Sequence, residues 1–205
     1  MNSSDEHDST VDLATDVVDA AAAVLGRSGL GGLTLVAVAE ELGRSRVTLH
    51  RNGVRVEALI AAIVARAAED LRRSLWAGVV GRGTAAQRLD AALVALCAVV
   101  ERHRLVLAAL YHAPEAPHRT APGRTTGFDF SEPYERLLLD GVVDGTLQSD
   151  APAEDAELLV NAVTWTYVHL RTAHRWSSAR ATKRVVAVCS AGFVTPPASR
   201  PRART

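Results

Sequence analysis

The chain is poor in the groupings that mark most metal, disulfide and membrane proteins. Its two cysteines, Cys97 and Cys189, stand far apart and in no CxxC or Cys/His array. That spacing does not favour a cysteine-based zinc site and reads as two small hydrophobes in helical segments. Aromatics are scarce, with three each of Trp, Tyr and Phe. The formal net charge is zero, which argues against a nonspecific polyanion binder of the histone type. No apolar run reaches the length of a membrane span, and the acidic amino terminus does not resemble a signal peptide. The expectation is a cytoplasmic protein with no membrane partner.

What is present is helix-forming material. Hydrophobic residues make up 48% of the 205, with Ala, Val and Leu dominant. That length buries one good core, or a small domain beside a larger one. Charge is unevenly placed despite the neutral total. Five arginines from Arg27 to Arg55 face Glu40 and Glu41, a local surplus of three, whereas the first twelve residues hold Asp5, Glu6, Asp8 and Asp12 and no Lys or Arg. A basic face on a neutral protein suits a sequence reader better than a packaging protein.

That face lies in Leu33 to Leu59, which reads as a helix-turn-helix followed by the start of a longer helix. Thr34 is a helix-opening residue whose hydroxyl accepts from an unpaired backbone N–H. Leu35, Val38, Ala39 and Leu42 recur at helical spacing. Gly43 follows, where the chain turns and positive φ is favoured. Ser45 opens a second short helix that buries Leu49. Arg44, Arg46, Thr48, His50 and Arg51 are left toward solvent, as in motifs whose second helix enters the major groove. The same pattern also fits an ordinary helical hairpin with a solvated basic face.

Elsewhere the periodicity predicts an all-α chain. Leu13, Val17, Ala21, Val24 and Leu25 mark a first helix ended by Gly29, Gly31 and Gly32. Leu59, Ile63, Ala67, Leu71 and Leu75 mark a helix of about twenty residues, long enough to serve as a lever. Leu89, Leu93, Leu96, Cys97 and Val100 mark another. Residues 114–127 read as a mobile loop. A helix near Ser131 points Tyr134, Leu137, Leu138 and Val142 inward. The next, from Ala153 to about Ser177, carries two apolar stripes: Leu158, Ala162, Trp165, His169 and Trp176, and separately Leu159, Val163 and Leu170. Two stripes require two partners. With a last helix near Arg180 to Phe193, this gives a candidate two-fold dimer face of Leu159, Val163, Leu170, Val185, Val188 and Gly192, the alternative being that both helices lie in a larger monomeric core. The expected organisation is an acidic, disordered 1–11, a helix-turn-helix domain over 12–56, a ligand-binding and dimerisation domain over 57–194, and a flexible tail over 195–205.

The residues from Val17 to Leu59, with AAAVLGRSGLGGLTL ahead of AVAEELGRSRVTL, resemble the tetracycline-repressor (TetR) family of transcriptional regulators. The later GVVDGTL before a long helix is a weaker echo of that family. The resemblance implies an all-helical homodimer with an amino-terminal DNA-binding domain and a larger ligand-binding domain. It further implies a repressor released from a palindromic double-stranded operator by a small molecule. Ser45, Thr48, Leu49 and Thr34 keep the family pattern. Arg44 stands where a small aliphatic residue is usual, His50 where tyrosine is common, Asn52–Gly53 where His–Phe is common, and Val56 where lysine is frequent. Losing the Phe removes a buried anchor behind the second short helix, and losing the Tyr and Lys removes two phosphate contacts. Arg44, His50, Arg51 and Arg55 are the candidate replacements.

On this reading Arg46 and Thr48 face base edges, and Thr34, Arg44, Ser45, His50, Arg51 and Arg55 hold phosphates. Cys97, Tyr111, His112, Trp165 and His169 are the candidate ligand residues, for a mostly apolar effector. No cofactor or metal is expected. One rival is a helical enzyme using His103, His112 and His118 with Glu101 and Glu115, although no HExxH spacing occurs. The other is a helical interaction module that has lost DNA binding.

Overall fold

A computed structural model describes residues 13–111 and 131–195, without the side chains of 75–79, 110 and 111. The described residues form eight helices: α1 Thr15–Gly32, α2 Leu35–Glu41, α3 Arg46–Arg51, α4 Val56–Val79, α5 Ala85–Tyr111, α6 Glu132–Asp144, α7 Pro152–Thr172 and α8 Ser178–Ser190. Among them there is no strand, only an isolated antiparallel bridge between Leu147 and Val194. The all-α expectation therefore holds. The acidic segment 1–11, the 114–127 loop and the tail beyond Thr195 lie outside the described residues.

The chain divides into two units, Met1–Ala68 with His103–Thr120, and Glu69–Arg102 with Ala121–Thr205. The division falls inside α4 and α5, later in the chain than the boundary at 56 expected from the sequence. The reason is packing: Leu59 and Ile63 of α4, and Val106 of α5, are buried in one core with α1, α2 and α3.

In the first unit, the i, i+4 spacing of α1 does what it predicts. Val17, Ala21, Val24 and Leu25 are buried. The glycines act as stops at one position only. Gly29 takes φ 69° and breaks the helix, and one further turn runs on to Gly32. A Cβ at Gly26 would sit 3.1 Å from Leu105 Cβ, so the small residue permits close approach of α1 and the last part of α5.

In the second unit, Leu89, Leu93, Leu96, Cys97 and Val100 are buried on α5. Burial pushes the Cys97 thiol up to about 12. Tyr134, Leu137 and Leu138 of α6 are buried as expected, but Val142 is exposed and Gly141 takes the inward place. A Cβ at Gly141 would fall 2.5 Å from Leu147 Cβ, so the chain returning after α6 occupies the volume a side chain would need. The DGT of GVVDGTL caps α5 from outside. The Ala85 N–H donates to Asp144 at 2.8 Å, and the Ala86 N–H donates to the Thr146 hydroxyl at 3.2 Å. A carboxylate at a helix start complements the dipole there. The Thr146 hydroxyl, followed by the Ala85 N–H, holds Asp144 below its ordinary range.

Helix α6 packs on α7, and α7 on α8. Helix α7 buries Ala156, Leu159, Val163, Tyr167 and Val168. Its carboxy-terminal half is tied to α5 by Arg171, which grips Glu101 with two hydrogen bonds of 2.8 and 2.6 Å, while the Tyr167 hydroxyl donates to the same carboxylate at 3.1 Å. Two parallel bonds to a carboxylate make this the stronger kind of ion pair. No helix among the described residues is long and apolar enough to cross a membrane.

Candidate nucleic-acid interface

Two short helices and two tight turns build the basic face. Thr34 is the N-cap of α2, its hydroxyl accepting from the Ala37 N–H at 3.1 Å. Val38 and Ala39 then face the core. At the end of α2, Gly43 takes φ 63°. The Arg44 N–H reaches back to the Ala39 carbonyl at 2.9 Å and the Gly43 N–H to the Glu40 carbonyl at 3.1 Å. This is the paired-bond helix ending that a left-handed residue permits.

Ser45 then caps α3, accepting from the Thr48 N–H at 3.2 Å, and the Ser45 and Thr48 hydroxyls lie 2.8 Å apart. Both caps are those the sequence indicates. The same ending closes α3. Gly53 takes φ 73°, the Val54 N–H reaches the Leu49 carbonyl at 3.1 Å, and the Gly53 N–H reaches the His50 carbonyl at 3.0 Å. Leu49 and Val54 are both buried in the unit's core. An apolar pair at these two positions commonly accompanies this ending. Val54 therefore supplies an anchor one residue after the place where the usual Phe is missing. Its signal was available in the sequence as the first apolar residue after an Asn-Gly turn.

With Leu49 and Val54 fixed inward, α3 presents Arg46, Val47, His50 and Arg51 outward, followed by Arg55. Val47 is 71% exposed and Thr48 is partly covered. Such exposure for a β-branched residue between two polar ones is the feature that sequence reasoning missed. No ion pair among the described residues involves Arg46, Arg51 or Arg55. Arg44 differs, because it pairs with Asp16 of α1 at 2.7 Å. Arg27 is likewise bound to Glu41 at 2.5 Å, and that hydrogen bond raises its pKa further. The uncommitted arginines thus lie on and just after α3, and the committed ones brace the turn.

The described candidate ligand residues lie on α5 and α7. Cys97 is buried on α5, with the Thr182 hydroxyl of α8 as its hydrogen-bond partner. Trp165 and His169 lie one turn apart on α7, the first half-buried and the second exposed. The Tyr111 side chain and His112 lie outside the described residues. Leu159, Val163 and Val185, expected at a dimer face, are buried inside the second unit. Side chains covered this far within the single chain offer little surface to a second copy. Leu170 is half-buried, and Val188 and Gly192 are exposed. The outward stripe is the one carrying Leu158, at 67% exposure, with Ala162 and Trp165.

Solved structures with this helix arrangement are transcriptional regulators. A regulator of the TetR/AcrR family from Thermobifida fusca superposes with a TM-score of 0.66 at 21% identity, over 87% of this chain and 96% of that one. SmeT, the repressor of the Stenotrophomonas maltophilia multidrug efflux pump SmeDEF, gives 0.68 at 19% identity, over 91% and 93%. The chain has the TetR-regulator fold. The ketosteroid transcriptional regulator KstR2 of Mycobacterium tuberculosis shares this TetR fold at 16% identity, with a TM-score of 0.65 over 88% and 94%. No family sequence model and no curated protein sequence matches the chain. The TetR fold is thus carried by helix order and packing more than by residue identity.

Proposed function

We propose that the chain is a TetR-family, sequence-specific DNA-binding regulator that works as a homodimer. The observation that carries this reading is α3 itself. It is a capped helix, pinned by Leu49 and Val54, whose outward face bears unpaired arginines and an exposed valine. Arg46 is proposed to pair with guanine in the major groove, and Thr48 to face a neighbouring base edge. Val47 is proposed to meet a thymine methyl, the apolar contact available in that groove. Thr34, Arg44, Ser45, His50, Arg51 and Arg55 are proposed to contact phosphate, with Arg44 held in place by Asp16. Phosphate contacts position the helix and base contacts specify the sequence.

The dimer is proposed to form through α7 and α8 on a two-fold axis, by the outward Leu158, Ala162 and Trp165 with Val188 and Gly192. Two α3 helices would then read the halves of a palindromic operator. The second unit is proposed to bind a small, mostly apolar effector, since the buried side chains among its described residues are apolar apart from Ser190, Cys97, Tyr134 and Tyr167. Release from DNA would follow if the effector prefers the form that cannot span both half-sites. Helix α4 is continuous from one unit into the other and is the covalent route for that coupling.

Footprinting on DNA flanking the gene tests the reading. Arg46→Ala should relax sequence preference, whereas Arg51→Ala should weaken binding to all sequences alike. A footprint that neither substitution alters would overturn the assignment. A wild-type protein that binds no duplex would favour the interaction-module reading instead.

A further inference from the structure

The carboxy-terminal end of α7 brings together two imidazoles that the DNA-binding reading does not use. His169 Nε2 and His174 Nε2 lie 3.2 Å apart. Their ring centroids are 4.9 Å apart, with the planes at 74°. Two imidazole nitrogens each about 2.0–2.1 Å from one zinc ion, at the tetrahedral angle, lie about 3.3–3.4 Å apart. The centroid distance separates this from a plain head-on hydrogen bond. Rings facing each other squarely at that nitrogen separation would have centroids about 5.5 Å apart, whereas rings converging on one ion bring them to about 5 Å. The observed 4.9 Å matches the converging arrangement, a distance that a T-shaped hydrogen-bonded pair also reaches.

The turn that holds His174 there is tightly determined. The Ala173 N–H donates to the His169 carbonyl at 2.9 Å, and the Trp176 N–H donates to the Leu170 carbonyl at 3.0 Å. Arg175 between them takes φ 53°, a left-handed conformation unusual for a non-glycine residue. Two of the cationic neighbours, Arg171 and Arg180, are committed elsewhere, and Arg175 is exposed. Arg171 is bound to Glu101 and to the Trp176 carbonyl, and the Arg180 guanidinium lies 3.9 Å over the Trp176 ring. Both histidines are exposed, so an ion reaches them from solvent.

We propose that His169 and His174 form a two-histidine site for a divalent cation of the imidazole-preferring kind, such as Zn²⁺ or Cu²⁺. No group of three His, Cys, Asp or Glu suited to a metal occurs among the described residues, and the proposal assigns the remaining positions to water or to the same pair of a second copy. The proton shared between the two Nε2 atoms moves to Nδ1 of its ring, and both Nε2 lone pairs then face the ion. With two protein ligands, the site is exchangeable rather than structural.

The test is calorimetric titration of the full chain with Zn²⁺, beside Cu²⁺ electron paramagnetic resonance. The expected result is one ion per chain, or one per two chains where copies share it. His169→Ala and His174→Ala should each lower the affinity at least tenfold, and His7→Ala and His50→Ala should leave it unchanged. The Cu²⁺ spectrum should show nitrogen coupling that diminishes in either single variant. Thermal melts serve as the folding control: zinc should raise the midpoint of wild type and not of the two variants. Undiminished affinity in His174→Ala, or binding abolished by His7→Ala alone, would overturn the proposal.

Discussion

Replacing Gly53 with alanine isolates one term of the architecture behind α3. Gly53 sits at φ 73°, and an added Cβ there would meet nothing within 4 Å. Sterics with neighbours are therefore absent, and the whole penalty is the left-handed backbone. That conformation costs an L-residue roughly 1–2 kcal/mol. Alanine recovers about 0.4–1 kcal/mol by restricting the unfolded chain. The net loss should be on the order of 1 kcal/mol, and asparagine, which tolerates this region, should lose less. Should the first unit melt by itself, that is a fall of about 4–8 °C in Tm; a single transition of the whole chain gives about 2–4 °C. Gly31→Ala is the matched control, since Gly31 also faces open space but lacks the positive φ. It should be neutral or slightly stabilising. Differential scanning calorimetry of the three variants decides. A Gly53→Ala protein as stable as Gly31→Ala would refute the view that the Asn-Gly turn is a strained, glycine-requiring helix ending.

Three further outcomes follow from the packing and electrostatics. Leu49→Ala truncates a fully buried anchor and should cost about 2–5 kcal/mol, read by denaturant unfolding, with DNA affinity falling before the fold is lost. Asp144 has its folded-state pKa depressed, so its contribution is present above the unfolded carboxylate pKa and is lost as pH falls through the folded value. Asp144→Asn should accordingly flatten the acid limb of a Tm-against-pH curve below about pH 4, and an unchanged limb would count against the α5 cap. Cys97, buried and with its thiol pushed up to about 12, should resist alkylation in the native protein and react only on unfolding.

Local chemistry was legible in the sequence, and long-range volume was not. Thr34, Gly43 and Ser45 could be assigned because a cap and a left-handed turn depend on neighbours within a few residues. Val142 was placed inward on α6 by periodicity, but Gly141 has that place because Leu147, returning after the DGT turn, fills the space beside it. On α7 two apolar stripes offered equal claims to the core. Tyr167 and Arg171, meeting Glu101 from α5, fix which stripe turns inward, and that contact spans about seventy positions of chain. Val47 was given no role from the sequence; α3, six residues long, buries one face only and leaves it outside.

The most direct measurement is sequencing of random duplexes retained by the purified protein. Enrichment of an inverted repeat, with half-site centres about one helical turn or a multiple apart, is the predicted result. Retention that requires Arg46 and falls with salt would add that α3 is the reader. A chain that stays monomeric and enriches no sequence would contradict the account.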